Sequence, residues 1–410
     1  MHLLFVHQNY PAQFGHIADY LARHKSFRCT FASQGRSGFV GPVELIPYQV
    51  KGGATERTHY CSRTFENTIW HTAAVYEALK ARPDIQPDLV IGHSGFGSTL
   101  YLRQLYRCPI INYFEYFYKP VHSDMDFRPE FPPLEIDQLR ALSRNAMLLL
   151  DLENCEAGYS PTRWQRDCLP PVFHSKVRTV FDGIDTEVWQ PAPRAPRRVG
   201  DTIYPDDLRI VTYASRGLES MRGFDIFMKM AKRLCERRKD VLFLIVGSDQ
   251  VFYGGDARFT GGKTFRDWVL SQDDYDLSRF HFLGPVPAPV LAQLFSISDL
   301  HVYLTVPFVL SWSLLNALAC GATVLSSDTG PVREIIQHGQ NGLLTNFFDI
   351  EAMTIAADRV LQAPDEYRPL GAAGRTLIQE RYSMRVCLPQ MLELYDEVIR
   401  QGPRTFEGNS

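Results

Sequence analysis

Two arginines, Arg216 and Arg222, each followed by a glycine, stand in the stretch Ser215-Arg-Gly-Leu-Glu-Ser-Met-Arg-Gly223. A guanidinium offers its donors in a planar fork that matches phosphate oxygens two at a time, so such a pair in a strand-to-helix loop can clamp a diphosphate. Solvated arginines on an exposed loop would read the same way. A second candidate is His93, which follows the apolar run Asp88-Leu-Val-Ile-Gly92 and opens the Gly/Ser loop Ser94-Gly-Phe-Gly-Ser98. A histidine just past a strand's carboxyl end is placed for chemistry on a ligand, and a structural histidine is the other reading. The third is Val306-Pro-Phe-Val-Leu-Ser-Trp-Ser-Leu-Leu-Asn-Ala-Leu-Ala-Cys-Gly321, which lies between the apolar strands 300–305 and 323–326. Ser311 and Ser313, with Asn316 on the first turn of the helix, can hydrogen-bond a polar ligand. Leu314 and Leu315 open that helix, whose free N–H groups and partial positive charge suit a phosphate. An ordinary buried crossover helix would carry the same pattern.

These residues need elements that hold them. The unit strand–loop–helix–Gly321–strand is a βαβ crossover, which belongs to a parallel sheet whose ligand sites lie at the carboxyl ends of the strands. The pattern repeats along the chain. Leu3 to Val6 predicts a first buried strand and His16 to Arg23 a helix, with Gly15 at the turn, where backbone can approach a ligand closely or simply turn tightly. Further strands are predicted at 27–32, 43–48, 87–92, 109–113, 158–160 and 177–180, and helices at 64–81, 99–105 and 134–157. Residues 51–63 read as a mobile surface loop, and 114–133 as a long polar excursion. Glu115 and Lys119 stand there on an acceptor-side loop or as solvated charges.

Residues 190–207 change character: Pro, Arg and Asp dominate and no apolar period survives, so the linker between domains is placed there. The second half restarts with a strand at 209–214, a helix at 224–237 and a strand at 241–246 ending on Gly247. A Gly-rich insertion of no clear structure covers 253–263, and Phe280 to Val286 makes a strand and loop. Three helices close the chain at 350–361, 369–380 and 384–400, and the last seven or so residues are expected to fray. The division is therefore 1–190, a linker at 191–207, 208–380, and a C-terminal helix over 381–410 that packs back toward the first domain. Both halves alternate β and α, which predicts two doubly wound Rossmann-like domains with a cleft between them.

Composition limits the function classes. At 410 residues the chain exceeds what one core usually organises. A net charge of −3 gives no overall attraction to nucleic acid, which is excluded as a partner. The eight cysteines form no CxxC pair and no Cys/His cluster at metal spacing, which predicts reduced thiols. No apolar run reaches the length of a membrane span and the first strand is too short for a signal peptide, so a cytoplasmic location is expected, with room for peripheral contact at the inner face of a membrane. Oligomeric state is not legible.

Over nearly its whole length the sequence resembles glycosyltransferase family 4, enzymes of the GT-B fold. The residues that carry the resemblance are the first strand with Gly15, His93 after Asp88-Leu-Val-Ile-Gly92, Ser160-Pro-Thr-Arg163, Phe181-Asp-Gly-Ile-Asp185, Arg216 with Arg222, Phe282-Leu-Gly284, and Leu314-Leu-Asn-Ala-Leu-Ala-Cys-Gly321 with Ser327-Asp328. It implies a retaining transfer of a sugar from a UDP- or GDP-sugar to a glycan, lipid-linked or other glycoconjugate acceptor, as in polysaccharide biosynthesis, without metal or cofactor. The C-terminal domain would hold the donor and the N-terminal domain the acceptor. Arg216 and Arg222 fall on the pair that holds the donor diphosphate, His93 on the histidine near the reacting carbon, and Val286 in the loop whose backbone reads the base.

The sequence departs from the family at two glutamates seven residues apart: Phe308 stands at the first and Asn316 at the second. Asn316 can still bond ribose hydroxyls. Phe308 cannot replace a carboxylate, so the donor sugar would rest on groups such as Ser311 and Ser313. The resemblance leaves two other readings open: a nucleotide-sugar epimerase or phosphorylase on the same fold, and a non-catalytic partner subunit that binds nucleotide-sugar or glycan.

Overall fold

The computed structural model describes residues 1–194 and 196–404. The expected fraying concerns the last residues of the chain, of which 405–410 lie outside the described ones, as does Ala195 of the linker stretch. The chain divides into two compact units, one of residues 1–125, 133–182 and from Cys387 on, the other of residues 126–132 and 183–386.

The first unit is built on an eight-stranded sheet of β1 (His2–Val6), β2 (Arg28–Gln34), β3 (Gly38–Val40), β4 (Val43–Tyr48), β5 (Leu89–His93), β6 (Ile110–Tyr113), β7 (Ala157–Ser160) and β8 (Val177–Thr179). Their spatial order is β3-β4-β2-β1-β5-β6-β7-β8, and every pair is parallel except β3 with β4. β1, β5 and β6 are buried along their whole length, as strands covered on both faces must be. One face packs against α1 (Gly15–His24), whose Ile17, Ala18 and Leu21 point inward at helical spacing, and against Leu388, Met391, Leu394, Tyr395 and Val398 of the last helix. The other face packs against α2 (Arg63–Lys80) through Val75 and Leu79.

Two helix expectations change here. The single helix predicted over 134–157 is two, α3 (Glu135–Arg144) and α4 (Ala146–Asn154), because Asn145 turns its amide onto the backbone of Tyr118: Nδ2 donates to the carbonyl at 2.8 Å and Oδ1 accepts from the N–H at 2.9 Å. The helix predicted over 99–105 is only a 3-10 turn at Leu102–Gln104. Ser98 and Thr99 are tied into the core, to Asp151 and Asn112, which draws the chain away from a regular helix start.

Within 191–207 the second unit carries an antiparallel ribbon, β9 (Arg197–Val199) and β10 (Thr202–Tyr204), whose Arg197 reaches the buried carboxylate of Asp299 at 3.1 Å. The sheet that follows holds β11 (Arg209–Gly217), β12 (Val241–Ser248), β13 (Phe280–Gly284), β14 (Leu300–Tyr303), β15 (Val324–Ser327) and β16 (Leu343–Thr345), all parallel, in the order β13-β12-β11-β14-β15-β16. Numbered from its own first strand this is the doubly wound order 3-2-1-4-5-6. The strand order reverses between β11 and β14, and in the first unit between β1 and β5. Such switch points open a crevice at the carboxyl ends of strands, so each unit has one place where its loops diverge to receive a ligand.

Candidate functional site

At the switch point of the second unit, β11 runs into a 3-10 turn (Ser220–Arg222) and then α6 (Phe224–Arg237). Gly223 joins them at φ +63°, where a side chain would also meet Leu304 at 2.8 Å. The two arginines of this loop have unlike surroundings. Arg216 is exposed and lies over the ring of Phe252, 4.2 Å from its centroid. Arg222 is buried, and its Nη1 donates to Thr305 Oγ1 at 2.8 Å, to the Val309 carbonyl at 3.1 Å and to Tyr303 Oη at 3.4 Å. Its guanidinium also faces Tyr253 at 5.2 Å and Phe308 at 5.9 Å, and those two rings lie 5.5 Å apart. Phe308 thus shares one aromatic enclosure with Arg222.

Three carboxylates hold this loop. Buried Glu219 stands between the arginines in the chain, and its Oε2 accepts from the N–H groups of Phe252 at 3.0 Å and Tyr253 at 2.9 Å, the two rings under the arginines. Burial raises its pKa. Asp256 accepts from the N–H of Ser220 at 2.8 Å and its hydroxyl at 2.5 Å. Asp225 takes both Nη atoms of Arg128, at 3.2 and 2.7 Å, while Arg128 Nη1 also donates to the Ser220 carbonyl at 2.9 Å. Arg128 is itself 3% exposed and lies between the rings of Phe131 and Phe347.

Beside the loop, between the ends of β12 and β13, is a cavity of about 310 Å³ lined by Leu218, Gly247, Ser248, Arg266, Phe282, Gly284 and Pro285, among others. Leu218 lies between the two arginines in sequence, so the cavity and the cations share a loop. Arg266 pairs with Asp249 at 2.9 Å and lies over Phe282.

On the other side of the switch point, Ser311 caps α9 (Trp312–Ala319), accepting from the N–H of Ser313 at 3.2 Å and sitting 3.0 Å from its hydroxyl. Leu314 and Leu315 are fully buried, so only their backbone can serve a ligand. Asn316 is buried, and its Oδ1 has no hydrogen-bond partner among the described residues.

In the first unit, His93 ends β5 and is buried among the rings of His7, Phe14, Phe96 and Tyr113. Its Nδ1 donates to the Ser94 carbonyl at 3.0 Å, which leaves Nε2 with the lone pair, 3.7 Å from Glu115 Oε2. That distance is too long for a hydrogen bond. Burial, and then the neighbouring His7, hold His93 neutral well below the usual imidazole range. Asp151 fixes the loop that follows: it is wholly buried and accepts from Ser94 and Ser98, each at 2.8 Å. Burial pushes its pKa up to about 7. Among the described residues there is no group of three or more His, Cys, Asp or Glu side chains placed to hold a metal ion, and no helix is long and apolar enough to cross a membrane.

Residues 25–189 match the family described as "Glycosyl transferase family 4 group" and residues 201–377 the one described as "Glycosyl transferases group 1". The chain belongs to the family 4 glycosyltransferases. Curated relatives of this family 4 chain include N-acetyl-alpha-D-glucosaminyl L-malate synthase of Bacillus anthracis, 28% identical over 55% of this chain and 54% of that one. Alpha-maltose-1-phosphate synthase of Mycolicibacterium smegmatis is 26% identical over 56% and 59%. The chain spans about half the length of the curated relatives it matches. In fold it is similar to sucrose-phosphate synthase from Thermosynechococcus elongatus, with a TM-score of 0.73 at 19% identity over 98% and 99% of the two chains. It is also similar to Anabaena HepE, solved with UDP and glucose, at 0.68 and 14% over 97% and 100%. The GT-B fold is thereby shown.

The structure corrects some expectations for this family 4 chain and gives the other residues their settings. Asn316 lies beyond the first turn of α9, because the helix starts at Trp312 rather than Leu314. Ser311 is not an idle hydroxyl, since it spends its oxygen on the cap. The insertion 253–263, read as having no clear structure, is held through Glu219 and Asp256 and contains a 3-10 turn at Asp256–Arg258. A short helix at Phe265–Leu270 follows it, signalled by Thr264, whose hydroxyl accepts from Asp267 N–H. Gly15 is buried, and a side chain there would run into Pro11 at 2.2 Å, so packing alone accounts for the glycine. Lys119 is exposed, and Val286 follows Pro285 at the cavity rim. Sequence reading missed Glu219, Asp256, Arg128 and Asp151. Their partners are remote in sequence or lie in stretches without periodicity.

Proposed function

We propose that this family 4 protein transfers a sugar from a nucleoside-diphosphate donor to a glycan or other glycoconjugate acceptor with retention of anomeric configuration. The observation that carries this reading is the loop 216–222: it brings Arg216 and Arg222 to the switch point of a 3-2-1-4-5-6 sheet and shares Leu218 with a cavity of about 310 Å³ suited to a base. The base would lie between Gly247 and the Gly284–Val286 turn, and the ribose would reach Asn316, whose unpartnered Oδ1 can accept from a hydroxyl. The diphosphate would meet the arginines and the N-terminus of α9. As the bond to the anomeric carbon breaks, negative charge builds on the departing diphosphate, and fixed guanidinium groups stabilise it without reorganising.

Within the first unit the reading assigns to neutral His93, through its Nε2 lone pair, the part of a hydrogen-bond acceptor for the donor sugar, and to Glu115 and Lys119 a part in holding the acceptor. Phe308 takes the place of a family carboxylate and presents a ring where the donor sugar would lie. An aromatic face there favours a sugar lacking a hydroxyl at the facing carbon, such as a deoxy sugar. That same ring is the observation favouring the second reading, a subunit that binds nucleotide-sugar without turnover. Incubation with a panel of UDP- and GDP-sugars decides between them: acceptor-dependent release of nucleoside diphosphate, with product of unchanged anomeric configuration by NMR, is the expected result. Binding without release under every acceptor would favour the second reading.

A further inference from the structure

The first unit carries a cavity of about 270 Å³ at the carboxyl ends of β1 and β5, walled by α2, and its lining is chemically uniform. Gln8, Thr64, Asn67, Thr68, His71 and Ser98 supply amide, hydroxyl and imidazole groups, Phe96 supplies a ring, and Gly95 and Gly97 supply backbone. Among the described residues, no Lys, Arg, Asp or Glu side chain lines it. His71 adds no cation near neutral pH, because burial lowers its pKa. The guanidinium groups nearby stand behind the wall rather than in it: Arg63 donates to the Thr58 and Glu56 carbonyls, and Arg140 to Tyr60 Oη and to the lining hydroxyl of Thr64 while lying over the Tyr60 ring.

The walls are fixed before a ligand arrives. Phe96 stacks on His7 at 5.7 Å and 19° and keeps 44% of its surface exposed, which leaves a face of the ring open to the cavity. Asn67 uses its carbonyl on the Ala54 N–H at 2.7 Å, which turns its amide NH₂ into a held donor. Ser98 is anchored on Asp151 at 2.8 Å.

We infer that this cavity is a subsite for an uncharged, hydroxyl-rich ligand: on the glycosyl-transfer reading above, a neutral sugar of the acceptor. A sugar presents hydroxyls to amide and hydroxyl side chains and its C–H face to an aromatic ring. A phosphate or carboxylate drawn into the same space would lose water without meeting a cation in the lining, since Arg140 reaches it only through the Thr64 hydroxyl. The names of two relatives, N-acetyl-alpha-D-glucosaminyl L-malate synthase and D-inositol 3-phosphate glycosyltransferase, carry anionic groups, so the inference sets this chain apart from them.

The test is calorimetry and ligand-observed NMR on the full chain, with UDP or GDP present and absent, using glucose and maltose against glucose 6-phosphate and glucuronic acid. Neutral sugars should bind in preference to their anionic counterparts. Phe96→Ala, at an already exposed ring, and Asn67→Asp, which keeps the acceptor for Ala54 and removes the donor, should each weaken neutral binding roughly fivefold with nucleotide affinity unchanged. Gln8→Arg should shift preference toward the phosphorylated sugar. Tighter binding of the anionic sugars, neutral binding indifferent to all three variants, or no sugar binding beside intact nucleotide binding would overturn this inference alone. Failure of nucleotide binding as well would remove the glycosyl-transfer reading with it.

Discussion

Arg216 and Arg222 carry equal charge in unlike settings, and their substitutions separate binding from folding. Arg216→Ala removes an exposed cation over Phe252 and should leave the melting temperature unchanged while weakening nucleoside diphosphate binding by on the order of 2 kcal/mol. Arg222→Ala also strips the donor from Thr305, Val309 and Tyr303, so affinity and melting temperature should fall together. Titration of both variants with UDP and GDP checks this, and unchanged affinity in the pair would remove the clamp. Asn316→Ala should cost about 1 kcal/mol of nucleotide affinity, and Asn316→Glu should keep or tighten it. Asp151 gives a pH signature. With its folded pKa raised by burial to about 7, above its value in the unfolded chain, it holds a proton more tightly when folded. Its contribution is therefore complete at low pH and is lost as pH rises from about 4 toward 7. Asp151→Asn should be insensitive over that window, so its melting temperature should gain on wild type between about pH 4 and 7 and run parallel to it above. Parallel curves in scanning fluorimetry across the lower range as well would refute the raised pKa.

Among the elements, the most consequential is the segment 126–132, seven residues of an otherwise first-unit stretch that fold into the second unit. Arg128 of this segment reaches both the carboxylate of Asp225 on α6 and the carbonyl of Ser220 in the arginine loop. Both side chains of the pair are about 95% buried, at 4% and 5% exposure. Removing one partner strands the other, so Arg128→Met should cost roughly 3–5 kcal/mol in urea denaturation, whereas Arg128→Met with Asp225→Leu should recover most of it. The single variant should also bind nucleotide more weakly, since Ser220 loses one of its two anchors. A double variant as unstable as the single one would show that packing of the segment, rather than the ion pair, is what matters.

At the scale of the whole molecule, each of the two doubly wound sheets places its diverging loops at its own switch point: in the first unit His93 follows β5, and in the second Arg216 and the 306–311 loop follow β11 and β14. With the charge on the departing diphosphate carried by arginines, turnover should survive EDTA. Loss of activity on chelation, restored by manganese or magnesium, would show that a divalent ion takes part.

The alternation of buried strands and amphipathic helices was readable from local patterning alone, because burial on both faces leaves continuous apolar runs such as Leu3–Val6 and Val241–Val246, and a helix start leaves Gly or Ser before it. The arginine pair and His93 were legible for the same reason: a residue at a strand's carboxyl end is fixed by its own neighbours in sequence. What holds those residues was not. Asp151 meets serines 57 and 53 residues away, Arg128 meets Asp225 across 97, and Glu219 meets the 252–254 backbone across more than 30. No local period marks a buried carboxylate or its remote donor; only the folded chain closes such loops and removes the water that would otherwise satisfy each group. The start of α9 at Trp312 is set locally, by the cap of Ser311 on Ser313, whereas the break of one expected helix at Asn145 has the remote origin: its side chain found its backbone partner only once the tertiary structure brought Tyr118 within reach.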